Sequence, residues 1–405
     1  MKKIRVIRII ARLTIGGPAI HVVLLTAGLN QEKFETLLLS GAISPAEGDM
    51  SYYAQAKQVK PLYIHHLKRE ISLWDDIAAT FQIYRIINRE RPDIIHTHTA
   101  KAGTLGRAAG AVYNISHPWR KKIRLIHTFH GHVFRGYFSP FKTKLFILIE
   151  RFIALFTDIL VTLSDSLKEE LVSFRITRPD KIRVIPLGFE LDEFLRIPLR
   201  QRETANIGII GRLAAVKNHK LFLRAAKELV NARPPAGLKF RIIGDGELGE
   251  ELREYAKSIG LSGLVEFSGW QKEIAGVYSG LDIIALTSIN EGTPVSLIEA
   301  MASGLPVVAT DAGGVRDLLG DCRGPAEEGY NICERGVIVR SFAPTAFSRA
   351  MLRLIEDPRL SASISGSARD FARKRFSKER LFRDIENLYL ESLKLSVKMK
   401  DYELP

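Results

Sequence analysis

Asp282-Ile-Ile-Ala-Leu286, a loop to Asn290, and then Glu291-Gly-Thr-Pro-Val-Ser-Leu-Ile-Glu299-Ala-Met-Ala-Ser-Gly304-Leu-Pro306 run into Val307-Val-Ala-Thr310. The outer runs are short and apolar, as in strands buried on both faces. Between them Thr293 is placed to cap a helix, Pro294 suits its first position, and Gly304 with Pro306 ends it. Strand, helix and strand within about thirty residues is the unit of a parallel sheet covered by helices.

The same rhythm extends in both directions. Upstream, Ala205 to Ile210, Lys239 to Ile243 and Val265 to Phe267 read as strands of the same sheet. Earlier still, Lys3 to Ile10, Thr36 to Ser40, Asp93 to His98, Arg124 to Thr128, Asp158 to Leu163 and Lys181 to Ile185 form a first set. Helical patterns at His21 to Leu29, Leu73 to Arg89 and Thr104 to Tyr113 alternate with them. The periodicity fails from Phe189 to Thr204, which reads as a linker. The expectation is two doubly wound α/β domains, residues 1–190 and 205–374, with a helix at about 375–405 that packs back on the first. Ligands of such sheets bind beyond the carboxyl ends of the strands, so the site is expected in a cleft lined by strand-end loops.

A chain of 405 residues with 46% hydrophobic and 26% charged residues is an ordinary globular protein. Cys322 and Cys333 have no paired spacing, so neither a disulfide nor a zinc site is expected, and a reducing, cytoplasmic setting fits. The first ten residues alternate as a strand does and do not form a signal peptide. Leu145 to Leu163 is interrupted by Glu150, Arg151 and Asp158, which suits a buried helix running into a strand and not a membrane span. The net charge of +14 implies an anionic partner. Nucleic acid is disfavoured because the basic residues are dispersed, with no aromatic-interleaved basic strands.

Glu291 and Glu299 bracket a helix N-terminus whose free N–H groups can hold a diphosphate, while each carboxylate can accept from sugar hydroxyls. The bland alternative is one solvated and one capping glutamate. Gly211-Arg212, followed by Lys217-Asn218-His219, places two cations after a strand, where a phosphate would compensate them. Gly16-Gly17-Pro18-Ala19-Ile20-His21 lets backbone approach a ligand or is a simple turn. Gly244-Asp245-Gly246 and Gly313-Gly314 are tight turns, the first of a kind that admits a base or ribose. Histidines crowd two strand ends, His96-Thr97-His98 and His127-Thr128-Phe129-His130-Gly131-His132. Metal ligation, core hydrogen bonding and, for His130, a substrate contact all remain open.

Taken together, these motifs resemble the retaining glycosyltransferases of family 4, with the GT-B fold, over nearly the whole chain. The resemblance is carried by Gly16-Gly17 with His21, the run from His96 to Gly103, His127 to His132, Gly211-Arg212 with Lys217, and above all Glu291 and Glu299 with seven residues between them. It implies a metal-independent hexosyltransferase taking a nucleotide-diphosphate sugar, with UDP the expected carrier, and using no other cofactor. Arg212 and Lys217 would hold the diphosphate, Glu299 the ribose, and Glu291 and His130 the transferred sugar, with Gly17 offering its amide. Gly16, Gly292, Thr293, Pro294 and Val295 complete the implied donor site. The implied acceptor is a glycan or lipid-linked precursor of a surface polysaccharide or lipopolysaccharide. A nucleotide-sugar epimerase of the same fold and an enzyme with a small soluble acceptor are the rivals. The segment from Arg135 to Lys144, with Phe134, Tyr137, Phe138 and Phe141 beside Arg135, Lys142 and Lys144, suggests a peripheral contact with an anionic membrane face.

Overall fold

The computed structural model describes residues 2–14, 16–43, 48–68, 70, 72–131, 140–198, 205–232, 237–323 and 329–394. Two compact units emerge, Met1–Phe189 joined by Lys378–Pro405, and Glu190–Ser377.

The first unit is a parallel sheet of seven strands. They are β1 (Ile4–Arg12), β2 (Phe34–Gly41), β3 (Leu62–Ile64), β4 (Ile94–His98), β5 (Arg124–Thr128), β6 (Ile159–Thr162) and β7 (Ile182–Val184), in the order β3-β2-β1-β4-β5-β6-β7. Helices α1 (Gly17–Gly28), α2 (Ser51–Ala56), α3 (Leu73–Glu90), α4 (Ala100–Ser116), α5 (Pro140–Phe156) and α6 (Asp165–Ser173) connect them. Alternation along β1 splits the core: Ile7 and Ile9 pack with α3 and α4, while Val6 and Ile10 pack on the opposite face with α1. α4 lies close to the sheet because its inner side is glycine. A Cβ on Gly106 would come within 2.7 Å of Thr97, and one on Gly110 within 2.5 Å of Leu125.

After α7 (Asp192–Leu195) comes the second unit's sheet of eight strands. These are β8 (Ala205–Ile210), β9 (Leu238–Ile243), β10 (Val265–Gly269), β11 (Ile283–Leu286), β12 (Val307–Thr310), β13 (Cys322–Arg323), β14 (Tyr330–Cys333) and β15 (Gly336–Val339). Their order is β10-β9-β8-β11-β12-β15-β14-β13, parallel except that β14 pairs antiparallel with both β15 and β13. The helices are α8 (His219–Ala232), α9 (Gly249–Ser258), α10 (Ile274–Ser279), α11 (Val295–Ala302), α12 (Val315–Leu319), α13 (Pro344–Glu356) and α14 (Pro358–Phe376). The last helix, α15 (Lys378–Ser392), returns to the first unit, where Leu381, Ile385, Leu388 and Tyr389 join the core of Val6, Ile94 and Ile126. Both units are doubly wound α/β sheets, as the strand rhythm implies.

Four local expectations change. Cys322 and Cys333 face each other across β13 and β14 and form a disulfide, because the antiparallel register sets them opposite although eleven residues separate them. The argument from free thiols for a reducing compartment is thereby removed. α11 starts at Val295 with Pro294 in the cap position, and no side chain, Thr293 included, caps it. The stretch from Phe189 to Thr204 contains α7, whose Phe194 is buried edge-on to Tyr278 at 5.4 Å. Finally, the apolar segment from Leu145 does run as a helix into β6, but α5 is not buried: Leu148 is 59% and Leu155 72% exposed.

Candidate functional site

In the second unit the chain turns back at β8: β9 and β10 lie on one side of it, β11 and β12 on the other. In such sheets the reversal point, here between the carboxyl ends of β8 and β11, is where a ligand is expected. Lys217 follows β8 and Glu291 follows β11. The loops are tied together, since Ile289 N donates to Val216 O at 2.8 Å and Thr287 Oγ1 to Lys217 O at 2.9 Å. As a result Lys217 Nζ donates to Glu291 Oε1 at 2.6 Å, and Ser288 Oγ donates to the same oxygen at 2.6 Å. Arg212 lies exposed on the same β8 loop.

The paired glycines support this arrangement. Gly313 has φ +52°, and a Cβ there would meet Glu291 O at 1.9 Å, while one on Gly314 would meet Gly292 O at 2.0 Å. The loop after β12 thus rests directly on the Glu291 loop, which makes this pair more than an ordinary turn. Gly244, with φ +133°, admits Gly211 O at the equivalent place after β9. Here the close approach expected for a base or ribose is made by the protein's own Gly211 loop.

Glu299 lies one turn into α11. Tyr278 Oη donates to Glu299 Oε2 at 2.8 Å and to Ser296 O at 3.0 Å. Burial pushes the Glu299 carboxyl up to about 7, against the opposing effect of the Tyr278 hydrogen bond. The N-terminus of α11, uncapped by any side chain, stands in the Glu291 loop and leaves its first N–H groups for an anion.

In the first unit the corresponding reversal falls between β1 and β4. Gly16 and Gly17 open α1 after β1, with no side-chain cap. His98 ends β4 and His130 follows β5, and His98 Nδ1 lies 3.0 Å from His130 Nε2. His21, from α1, sets its ring edge-on to both at 5.7 and 5.2 Å. Among the described residues, both nitrogens of His21, Nε2 of His98 and Nδ1 of His130 have no hydrogen-bond partner. Buried polar atoms left unpaired cost about 1–3 kcal/mol each, so these nitrogens are open to polar groups from a ligand.

Beneath the cluster is a chain that sequence reasoning did not reach. Arg8 is fully buried, and its Nη2 donates to Tyr389 Oη at 3.3 Å. Tyr389 then gives its own proton to His96 Nδ1 at 2.7 Å, which leaves the His96 proton on Nε2, donating to Thr128 Oγ1 at 2.7 Å. The His96 ring lies 4.3 Å from that of His98, tilted by 32°. Burial, followed by neighbouring His130, His96 and Arg8, holds His21 well below its ordinary pKa, and burial alone takes His130 down to about 3. These imidazoles are neutral in the working range of pH. His127 points to the other face of the sheet and bonds Thr97 Oγ1 at 2.9 Å, apart from the cluster. His132 lies outside the described residues.

Ring nitrogens of His21, His98 and His130 lie within 4.8 Å of one another, the only group of metal-ligand type among the described residues. It contains no carboxylate. Tyr278, Ser288, Arg8 and Tyr389 are the additional site residues. Neither Tyr278 nor Tyr389 carries a local signal in the sequence.

Known proteins fit this arrangement. Residues 15–193 match the family described as Glycosyltransferase Family 4, and residues 204–357 match Glycosyl transferases group 1. An Escherichia coli UDP-Gal:alpha-D-GlcNAc-diphosphoundecaprenol alpha-1,3-galactosyltransferase is 29% identical over 267 residues, 63% of this chain and 67% of that protein. A D-inositol 3-phosphate glycosyltransferase of Corynebacterium glutamicum is 24% identical over 93% of this chain and 92% of its own length. Among solved structures, Anabaena Alr3699/HepE in complex with UDP superposes with a TM-score of 0.76 at 18% identity, covering 96% of this chain and 100% of that one.

Proposed function

This chain belongs to family 4 of the glycosyltransferases, and from that premise we propose that it moves a hexose from a UDP-sugar to a lipid-diphosphate-linked acceptor, retaining configuration and using no metal ion. The fold is GT-B. The observation that carries the reading is the Lys217–Glu291 pair at 2.6 Å beside the open N-terminus of α11. Without donor the two charges neutralise each other. An arriving diphosphate takes Lys217 together with Arg212 and the helix amides, which releases Glu291 to accept from the hydroxyls of the transferred sugar. Glu299 accepts from the ribose, Gly17 offers its amide, and neutral His130 bonds the sugar.

Transfer breaks the bond between the anomeric carbon and the diphosphate oxygen through an oxocarbenium-like state. Fixed cations and amides stabilise the charge that grows on the departing UDP. The acceptor oxygen attacks on the face that UDP leaves, and its proton passes to the departing phosphate oxygen.

The Escherichia coli relative supports the lipid-diphosphate acceptor and UDP as carrier. The Corynebacterium relative favours a second reading, a soluble phosphorylated polyol. A screen of UDP-sugars against a short-chain polyprenyl-diphosphate sugar and an inositol phosphate decides between them, since product is expected with the first alone. Transfer is expected to persist in excess EDTA. Complete loss, restored by manganese or magnesium, would overturn the metal-free mechanism.

A further inference from the structure

α3, α4 and α5 form one layer on a single face of the first unit's sheet, with α4 packed against both neighbours. α5 carries Phe141, Leu145, Leu148, Phe152 and Leu155, spaced four and three apart and therefore on one side of the helix. In a helix that merely covers a sheet, that stripe faces the core. Here Glu150, Ile153 and Ala154 are buried, and the five apolar side chains are 49–78% exposed. On α3, Leu73, Trp74, Ile77 and Phe81 are exposed, with Trp74 at 80%, and on α4 so are Val112 and Ile115. Single exposed leucines are commonplace, but apolar outer sides on three adjacent helices mark a surface that something covers.

The charges say what covers it. α4 contains no carboxylate. Glu150 of α5 is turned inward, where both its oxygens accept from Arg107 Nη2 at 2.8 and 2.9 Å. On α3, Asp75 pairs with Lys68 at 3.2 Å, Asp76 with Lys101 at 2.6 Å, and Glu90 with Arg89 at 2.6 Å. Lys144 and Arg151 remain exposed on α5, and Arg85 on α3. An apolar face edged by cations and cleared of free carboxylates complements an anionic surface with an apolar interior. A second copy of the chain would bring like charges against it.

We propose that the outer side of α3, α4 and α5 seats this protein on an anionic lipid bilayer. α5 lies in the membrane plane, with Leu145, Leu148 and Phe152 in the acyl region and Lys144 at the headgroups. No helix among the described residues is long and apolar enough to cross a membrane, so the contact is peripheral. The proposal rests on the lipid-linked acceptor suggested above, to which it adds the surface that meets the membrane. The membrane contact expected at Phe134, Arg135, Tyr137 and Phe138 falls outside the described residues, as does the side chain of Lys142, while Phe141 and Lys144 belong to this face.

The test is flotation of the full chain with phosphatidylcholine vesicles, with and without phosphatidylglycerol, at low and high salt, in the absence of donor and acceptor. The native chain is expected to float with the anionic vesicles and to be released by salt. Combining Leu145→Gln, Leu148→Gln and Phe152→Gln is expected to weaken binding at least about tenfold, with transfer to a short-chain, water-soluble acceptor within about twofold of native. Lys144→Glu, which disturbs no packing, is expected to weaken it several-fold at low salt. The proposal is overturned if the native chain stays unbound to anionic vesicles at low salt, or if neither variant differs from it. It is also overturned if light scattering shows a native dimer that the triple substitution splits while vesicle binding is absent. Vesicle binding that follows these residues, without transfer to any lipid-diphosphate acceptor, upholds the surface and removes the acceptor reading instead.

Discussion

Glu299 holds a conflict that a measurement can separate. Burial raises its carboxyl to about 7, so the fold favours the neutral form, whereas a ribose hydroxyl is better bound by the anion. For a carboxyl raised in the folded state, stability falls as pH rises from the ordinary carboxylate range through 7. Glu299→Gln is therefore expected to melt higher than the native chain at pH 8 and about the same at pH 5. UDP affinity at pH 8 should drop roughly tenfold or more, the worth of a hydrogen bond to a charged group. Titration calorimetry and thermal melts at both pH values check the two halves, and a variant destabilised at pH 8 would contradict the assignment. Lys217 has a simpler consequence. Replacing it with Ala, or Arg212 likewise, is expected to lower transfer by about 100-fold through loss of charge stabilisation on the leaving diphosphate, with the fold intact. Near-native turnover in both variants would remove them from the mechanism. Glu291, Glu299, Arg212 and Lys217 could be picked out in the sequence because each sits beside a strand end or helix start that punctuation marks locally. Tyr278 and Ser288, which hold the two carboxylates, carry no such mark, since a tyrosine at the end of an apolar helix and a serine in a loop look like any other.

At the level of elements, α15 is the piece whose role could not be read locally. Tyr389 is 381 residues from Arg8 and 293 from His96, yet its hydroxyl joins them. Tyr389→Phe leaves Arg8 Nη2 and His96 Nδ1 buried without a partner, at a cost of about 1–3 kcal/mol. The expected outcome is a lower denaturation midpoint and a reduced kcat, with affinity for UDP alone unchanged because Arg212, Lys217 and Glu299 are untouched. A variant equal to native in chemical denaturation would show that the hydroxyl carries nothing. α5 teaches the complementary lesson. Apolar spacing identifies which side of a helix is greasy, but not whether protein or something else lies against it. The strand-end glycines show a third limit: Gly244 and Gly313 can be recognised as close approaches, but what approaches is decided by sheet neighbours far along the chain.

For the molecule as a whole, the histidines predict how it fails in acid. His21, His96, His98, His127 and His130 are all depressed, burial being the first cause for each. A base depressed in the folded state contributes stability that is present above its unfolded pKa of about 6.5 and is lost as pH falls below it. At pH 5 His130, lowered to about 3, by itself costs about 2 kcal/mol, and the other four act in the same direction. The second unit has one comparable group, His219, lowered to about 4. Hydrogen exchange on the intact chain is expected to show β4 and β5 losing protection between pH 6 and 5, while β8 and β9 keep theirs. Simultaneous loss in both units would refute this account. The overall architecture was legible because parallel strands buried on both faces stand out as short apolar runs. The antiparallel edge of β13 to β15 was not, since two- to four-residue strands give alternation too little length to show.

The return of α15 to the first unit also has a consequence in time. A ribosome delivers β1 to β7 first, and the sheet face that carries Arg8 and His96 then waits without its cover while Glu190 to Ser377 are made. At ~5–20 residues per second that delay is roughly ten to forty seconds. The second unit, contiguous in the chain, can complete itself in the interval. A growing chain therefore completes the unit of Lys217 and Glu291 before that of the histidines, since Tyr389, which seats His96, is made only after it.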